Sequence, residues 1–296
     1  MKKKCLLFIA PLLLPLYNQP HWQPRKTTLA VAAISGIVGY YAPVLIKKAQ
    51  YYLTHPSIEQ PQPKKQIIAE LSLTGFINDA SKLARTLHYC LKEDTINGVI
   101  VHVNSGGGNG GSSDLIRQEI THLAQHKPVV VYIENGCCSG AYLSVVPATT
   151  IIATDASAIG SIGIYTKYEK LHPEKYVDRH TGEKGSKKVT LLETHRRKTL
   201  LDPYSEDLTT QEQEELQENL MKAYTWFCKI VAQYRHLSIK DANIWGEGNI
   251  FTGQEAVELG LINQIGGYST AVQEMQKLLE EKEKKAVKLE IKEIKP

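Results

Sequence analysis

Three nucleophilic side chains, Cys137, Cys138 and Ser139, stand together in the stretch ENGCCSGAYLS, residues 134–144. The stretch follows the β-branched run PVVVYI, and its Asn-Gly pair is typical of a sharp turn. A nucleophile just after a strand and at the start of a helix is exposed, and the next N–H group is available to an oxyanion. Ser139 followed by Gly140 fits this arrangement. On this stretch alone, a simple helix N-cap explains Ser139 equally well.

Each candidate nucleophile needs a base. An activated thiolate at Cys137 or Cys138 needs a partner histidine, and none of the ten histidines stands at a recognisable triad spacing. Lys198, in THRRKTLLDP, is a candidate base for Ser139. A lysine acts as a base only if burial and neighbouring charges lower its pKa from about 10.4. From the pattern alone, a surface lysine remains the ordinary interpretation.

A glycine-rich stretch, VIVHVNSGGGNGGSS, runs from an apolar strand at residues 99–113. Glycines after a strand allow backbone N–H groups to approach a ligand closely. The spacing matches neither G-x-G-x-x-G nor a P-loop, which argues against phosphate binding. Two interpretations remain, a flexible exposed loop and an oxyanion hole that stabilises negative charge on a carbonyl oxygen.

Alternating apolar runs and helical periodicity place these segments in an α/β domain with a largely parallel sheet. A Thr-x-x-Glu capping box opens the longest predicted helix, and Gly260 ends a shorter one. We expect strands at 66–73, 98–103, 129–133 and 150–154, and helices at 79–93, 114–126, from 139 onward, 209–229 and 253–259.

The N-terminal region contains two apolar segments. Residues 5–17 follow three lysines, as in a signal peptide, but no clear cleavage site follows. Residues 27–46 carry no charge, and about 20 helical residues span a bilayer core, so we predict a membrane anchor rather than a buried core helix. Basic residues on both sides leave its orientation open. The predicted parts are the apolar segments and anchor (1–48), a proline-rich linker (49–65), the α/β domain (66–275) and a charged, solvated C-terminal tail (276–296).

Composition excludes several classes of protein. The net charge of +4 arises largely near the two ends, which suits membrane-flanking lysines better than a nucleic-acid groove. The five cysteines are an odd number with no disulfide-framework spacing, and no zinc-type spacing occurs. We therefore expect no nucleic-acid partner, no metal and no other cofactor.

Four motifs, in this order, resemble the signal peptide peptidase A (protease IV-like) family of serine peptidases, and the resemblance covers roughly residues 66–275. Each motif alone is weak, but the ordered set is specific. The motifs are NSGGG at 104–108 for the family's Asn-Ser-Pro-Gly-Gly, CSGAY at 138–142 for Ala-Ser-Gly-Gly-Tyr, GSIGI at 160–164 for Gly-Ser-Ile-Gly-Val, and GLIN at 260–263 for Gly-Leu-(Val/Ile)-Asp.

The resemblance implies a Ser/Lys dyad on a crotonase-like (ClpP-like) fold of repeated β-β-α units. Ser139 would be the nucleophile and Lys198 the general base. Ser161 matches the serine that orients the lysine. The N–H groups of Gly107 and Gly140 would form the oxyanion hole.

The resemblance also implies partners and a location. Its substrates would be membrane-derived peptides such as cleaved signal peptides, and its members form ring-like homo-oligomers. The expected location is a bacterial cytoplasmic membrane, with the peptidase domain on the extracytoplasmic face. Two positions depart from the pattern, because Gly106 replaces a proline and Cys138 an alanine. The alternatives are a crotonase-type acyl-CoA enzyme and a non-catalytic membrane scaffold.

Overall fold

The computed structural model describes residues 63–167 and 192–295, together with residues 42, 43, 46 and 47. The chain divides into two compact units, Met1–Gln62 and Pro63–Pro296. Within the described residues, no helix has both the length and the apolar character needed to cross a membrane. The predicted apolar segments at 5–17 and 27–46 lie almost entirely outside the described residues.

The second unit is built from strands and helices that alternate over its first half. Its described strands are β1 Lys64–Ile77, β2 Ile96–Gly108, β3 Val129–Cys138, β4 Thr150–Ala153, β5 Ala158–Gly160, β6 Ile250–Phe251, β7 Gln264–Ile265 and β8 Val287–Glu293. Its described α-helices are α1 Ser81–Lys92, α2 Gly110–Ala124, α3 Gly140–Val145, α4 Thr210–Arg235, α5 Ala242–Trp245, α6 Gly253–Glu258 and α7 Tyr268–Glu283.

These strands form one mixed sheet of eight strands in the described part of the chain, with the order β6-β5-β3-β2-β1-β8. The first half of β3 pairs with β4, and the second half of β3 pairs with β5. Strand β4 in turn pairs with β7. All these pairings are parallel except that of β5 with β6. The predicted α/β fold with a largely parallel sheet is confirmed, and its repeated units are β-α; the crotonase-like fold of β-β-α units stays a prediction.

The two faces of the sheet are both covered. Val99 and Val101 belong to a large core cluster that also takes in residues of α1, α2 and α3. Ile100 and Val130 point to the other face and belong to a second cluster, where α7 contributes Met275. A parallel sheet buried on both faces requires nearly continuous apolar strands, which explains the runs in the sequence.

The central strands are longer than the sequence predicts. β1 continues past residue 73, its predicted end, and a bulge in β2 places Ser105 and Gly106 opposite the single residue Gly75 (φ 72°). β2 continues through the glycine motif to Gly108, whose missing Cβ would lie 2.3 Å from the carbonyl oxygen of Ile77. Glycine permits this close pairing. The glycine motif is therefore held by the sheet, unlike a flexible loop.

The C-terminal region also differs from the expected solvated tail. α7 runs on to Glu283, and β8 pairs in parallel with β1 at the edge of the sheet. Val287 is buried, and an ion pair joins Lys64 to Glu283 at 3.0 Å. The alternation of apolar and charged residues in VKLEIKE is typical of an edge strand with one face packed.

The predicted capping box of the long helix is confirmed. The Glu212 N–H donates to Thr209 Oγ1 at 3.2 Å, and the Thr209 N–H donates to Glu212 Oε2 at 2.9 Å. The helix ends later than predicted, at Arg235, where His236 adopts a left-handed conformation (φ 55°).

Candidate active site

Ser139 lies at a strained turn between β3 and α3. Its backbone has φ 49° and ψ −123°, a conformation that residues with a side chain seldom adopt. The Ser139 N–H donates to the carbonyl oxygen of Gly160 at 2.7 Å, which holds the turn in place. Strain of this kind is retained where the surrounding structure fixes it, often at functional sites. Because α3 has only six residues, the free N–H groups of its first turn matter more than its macrodipole.

The glycine motif packs directly against this turn. A Cβ on Gly107 would lie 2.7 Å from the Gly140 nitrogen and 3.0 Å from Ser139 Cβ. A Cβ on Gly140 would lie 2.4 Å from Ser113 Oγ and 3.1 Å from the Gly108 nitrogen. Two backbone segments can approach this closely only where neither carries a side chain.

The N–H groups of the motif point in different directions. The Gly107 N–H donates to Ser105 Oγ at 3.1 Å. The Asn109 N–H donates to the carbonyl oxygen of Ile77 in β1 at 2.7 Å. Since successive N–H groups along a strand point to opposite sides, the Gly108 N–H faces away from β1 and toward α3. The predicted oxyanion donor Gly107 thus already has an acceptor for its N–H, and Gly108 is the alternative donor beside Gly140.

Ser139 and Ser161 line the same cleft, which has a volume of about 600 Å³. Ser161 follows β5 and, like Ser139, has a positive φ (48°). Its N–H donates to the carbonyl oxygen of Asn249 at 2.6 Å. Gly160 links the two serines, because its carbonyl oxygen accepts from Ser139 while Ser161 follows it in the chain.

Lys198 is not among the residues that line the cleft. It ends a short 3-10 helix, Arg196–Lys198, and its side chain is exposed. Two ion pairs fix this helix on the first turns of α4, from Arg196 to Glu212 at 3.1 Å and from Arg197 to Glu215 at 2.8 Å. A different lysine, Lys167, lies at the cleft, and the sequence patterns do not single it out.

The neighbouring thiols are poorly suited to nucleophilic attack. Cys137 is fully buried, and burial raises the pKa of its thiol well above the usual value. Cys138 is half-buried, burial raises its pKa as well, and its Sγ donates to the carbonyl oxygen of Ala158 at 3.4 Å. A raised pKa leaves less of the reactive thiolate at neutral pH. The hydroxyl of Ser139 is the better candidate.

A buried hydrogen bond holds α3 in position beneath Ser139, and Asn263 joins the neighbouring elements. The Tyr142 side chain is fully buried, and its hydroxyl donates to the carbonyl oxygen of Leu261 at 2.6 Å. Asn263 Oδ1 accepts from the Ile151 N–H at 2.8 Å and from Arg235 Nη1 at 3.1 Å. The CSGAY and GLIN motifs, which are far apart in sequence, are thus parts of one support.

The cleft carries exposed apolar side chains. Phe76, at the end of β1, is 74% exposed, and Tyr165 is 85% exposed. Both line the cleft together with Ile164. Large apolar side chains left open to solvent beside a cleft are typical of a binding surface. The alternation of residues along β1 does not reveal Phe76, because the bulge opposite Gly75 shifts the register just before it.

The family model described as Peptidase family S49 matches residues 121–282. This range includes Ser139, Ser161 and Lys198, and it covers more than half of the chain.

Named relatives are found in three groups of organisms. The chain is 33% identical over 187 residues to a protein of Methanocaldococcus jannaschii provisionally named as a protease, covering 63% of this chain and 58% of that relative. It is 28% identical over 205 residues to the chloroplastic serine protease SPPA of Arabidopsis thaliana, covering 68% and 29%. It is 26% identical over 242 residues to a protein of Enterococcus faecium provisionally named signal peptide peptidase SppA, covering 76% and 67%. The chain thus spans little more than half of the archaeal relative and less than a third of the plant one.

Proposed function

The chain belongs to peptidase family S49, and we propose that it is a serine peptidase in which Ser139 attacks the carbonyl carbon of a peptide bond. The single observation that carries the proposal is the position of Ser139. It lies at a strained strand-to-helix turn, in a cleft, where the backbone of Gly108 packs against Gly140, the residue that follows Ser139. This is the arrangement that acyl transfer requires, since a nucleophile and oxyanion donors must meet at one carbonyl group. The resemblance of the four motifs to the signal peptide peptidase A family supports the same interpretation.

The proposed reaction proceeds through an acyl-enzyme. Neutral Lys198 Nζ accepts the proton of Ser139 Oγ as the oxygen bonds to the carbonyl carbon. The oxyanion that forms accepts hydrogen bonds from the Gly108 and Gly140 N–H groups. The lysine ammonium then donates its proton to the leaving amine as the C–N bond breaks. Water, deprotonated by the lysine, releases the acyl group and restores the Ser139 hydroxyl.

We propose that a neighbouring copy of the chain supplies Lys198. A lysine becomes a base only in a site from which water is excluded. In a single chain Lys198 is exposed, although Arg196 and Arg197 fix the segment that carries it. Contact between two copies would bury the amine against the cleft of the next copy, where the Ser161 hydroxyl would orient it. In a homo-oligomer, such as the ring implied by the resemblance, each active site would receive a lysine from the neighbouring copy.

Apolar peptides of membrane origin, including cleaved signal peptides, are the proposed substrates. Phe76 and Tyr165 offer exposed apolar surface to such a peptide. The printed name of the Enterococcus faecium relative, signal peptide peptidase, supports the same substrate class. A membrane anchor at residues 27–46, with the peptidase domain on the extracytoplasmic face, would place the cleft close to this source of peptides.

The experiment that tests the proposal measures hydrolysis of an apolar, signal-peptide-like substrate by the wild type and by Ser139→Ala. We expect Ser139→Ala to lose measurable turnover while its melting temperature stays close to that of the wild type. Ser139→Ala and Lys198→Ala are then mixed, dissociated and allowed to reassemble. If one copy supplies the lysine to the next, the mixture regains part of the activity. Turnover by Ser139→Ala at the wild-type rate refutes the assignment, and an inactive wild type supports a non-catalytic scaffold.

A further inference from the structure

The hydroxyl of Ser105 makes two backbone contacts beside the proposed oxyanion hole. Ser105 is 3% exposed. Its Oγ donates to the carbonyl oxygen of Gly75 at 2.6 Å and accepts from the Gly107 N–H at 3.1 Å. Both partners have a positive φ, 72° at Gly75 and 102° at Gly107, so the hydroxyl joins two unusual backbone segments.

These contacts occur where the ladders of the sheet are interrupted. The pairing of β1 with β2 shifts register between Thr74 and Phe76, so that Gly75 has no partner of its own. The pairing of β2 with β3 shifts between Val103 and Ser105. Buried backbone groups left without a ladder partner must be satisfied by a side chain or by water. The Ser105 hydroxyl satisfies the carbonyl oxygen of the unpaired Gly75 in β1 and also accepts from the Gly107 N–H in β2.

The same contact fixes the orientation of the motif's backbone. Gly106 and the two glycines after it carry no side chain, and a Cβ on Gly106 would meet no atom within 4 Å. No proline ring restrains the chain there, and glycine has the largest backbone freedom of any residue. The hydrogen bond from the Gly107 N–H to Ser105 therefore restrains the Gly106–Gly107 peptide, one peptide before the Gly108 N–H, and adds to the pairing of Gly107 and Gly108 with β1.

We infer that Ser105 is a positioning residue for hydrolysis: its hydroxyl holds the Gly107 peptide so that the Gly108 N–H stays directed at the oxyanion. This role rests on the proposed peptidase function. Ser105 itself touches neither the substrate nor the reacting atoms. Without the hydroxyl, the Gly106–Gly107 peptide loses this hydrogen bond and can tilt within the sheet, so the Gly108 N–H spends less time in the orientation that stabilises the transition state.

The test compares Ser105→Ala with the wild type on an apolar fluorogenic peptide, with kcat and KM determined separately. We expect kcat to fall about tenfold, the size of effect that one hydrogen bond to a neutral group can have, while KM changes by less than about twofold. The rate of covalent labelling by a fluorophosphonate should fall in parallel, because its phosphoryl oxygen uses the same N–H groups.

A matched control is Ser157→Ala, which removes another buried hydroxyl that bonds to backbone. Ser157 is 1% exposed and donates to the carbonyl oxygen of Glu134 at 2.9 Å. We expect it to lower the melting temperature but to leave kcat within about twofold. Ser105→Thr and Ser105→Val form a second pair of nearly equal shape, which keeps the test valid if Ser105→Ala fails to fold. Only Thr keeps the hydroxyl, so we expect the higher kcat in Ser105→Thr.

The outcomes separate this inference from the proposed function. If Ser139→Ala is inactive but Ser105→Ala and Ser105→Val keep the wild-type kcat, Ser105 has no positioning role. An equal loss of kcat in Ser105→Ala and Ser157→Ala also overturns the role, because general loosening then explains both. If Ser139→Ala remains active, the peptidase assignment itself fails.

Discussion

Replacing Gly140 by alanine should damage catalysis more than stability. The added Cβ would lie 2.4 Å from Ser113 Oγ, and 3.1 Å and 3.3 Å from the nitrogen and the carbonyl oxygen of Gly108. The Ser113 hydroxyl, which donates to the carbonyl oxygen of Asn109 at 2.8 Å, must rotate away and lose that bond, at a cost of about 1 kcal/mol. The Gly108 backbone must also retreat by a few tenths of an ångström.

The magnitudes follow from these contacts. Overpacking of a tight site lowers the free energy of unfolding by about 1–3 kcal/mol, which includes the lost Ser113 bond. Both oxyanion donors move, because the Cβ pushes Gly108 away from Gly140. Removing one such donor completely lowers kcat by about 10²–10³-fold, so partial displacement of two donors should lower it by roughly 10–100-fold.

The assay measures kcat and KM on an apolar peptide and the free energy of unfolding in urea. Gly267→Ala is the control, because a Cβ there meets no atom within 4 Å and Gly267 lies at the start of α7. Gly140→Ala combined with Ser113→Ala should recover part of the stability but not kcat, since the contacts with Gly108 remain. A Gly140→Ala enzyme with the wild-type kcat would refute the reasoning that the close approach of these glycines forms the oxyanion hole.

Three further predictions address the rest of the site. Lys198→Ala should abolish peptide turnover while Lys167→Ala, at the cleft, retains most of it; the reverse result in the same turnover assay would make Lys167 the base. Tyr142→Phe should lower the free energy of unfolding in urea by about 1–3 kcal/mol, because the buried carbonyl oxygen of Leu261 loses its donor, and an unchanged value would contradict this. Because burial raises the pKa of Cys138, its alkylation by iodoacetamide should be slow at neutral pH and faster at alkaline pH, and fast neutral labelling would show an activated thiol.

The sequence predicts the elements whose signals are local. Apolar runs locate the central strands, and the Thr209–Glu212 capping box marks the start of α4. The turn at Ser139 follows from a β-branched run, small residues and an apolar helix in direct succession. These features depend on the conformational preferences of residues that are close in sequence, so the sequence alone predicts them.

Pairing between strands that are distant in sequence determines the features that the sequence does not predict. β1 and β2 extend beyond their apolar runs because each pairs with the other as far as Gly108, while the Ser105 hydroxyl satisfies the carbonyl oxygen of Gly75 at the bulge. Which N–H group of the glycine motif faces Ser139 depends on the strand register and on a hydrogen bond to Ser105. The charge-dense composition of residues 276–296 similarly does not predict the edge strand β8, because that strand depends on pairing with β1.

The central claim is that the Ser139 hydroxyl is the attacking group, and mapping the covalent adduct of a fluorophosphonate by tandem mass spectrometry tests it most directly. The account predicts a single adduct on Ser139 in the assembled wild-type protein, and none at that position in Ser139→Ala. An adduct on Cys138 or on a residue outside the cleft, with Ser139 unmodified, would contradict it.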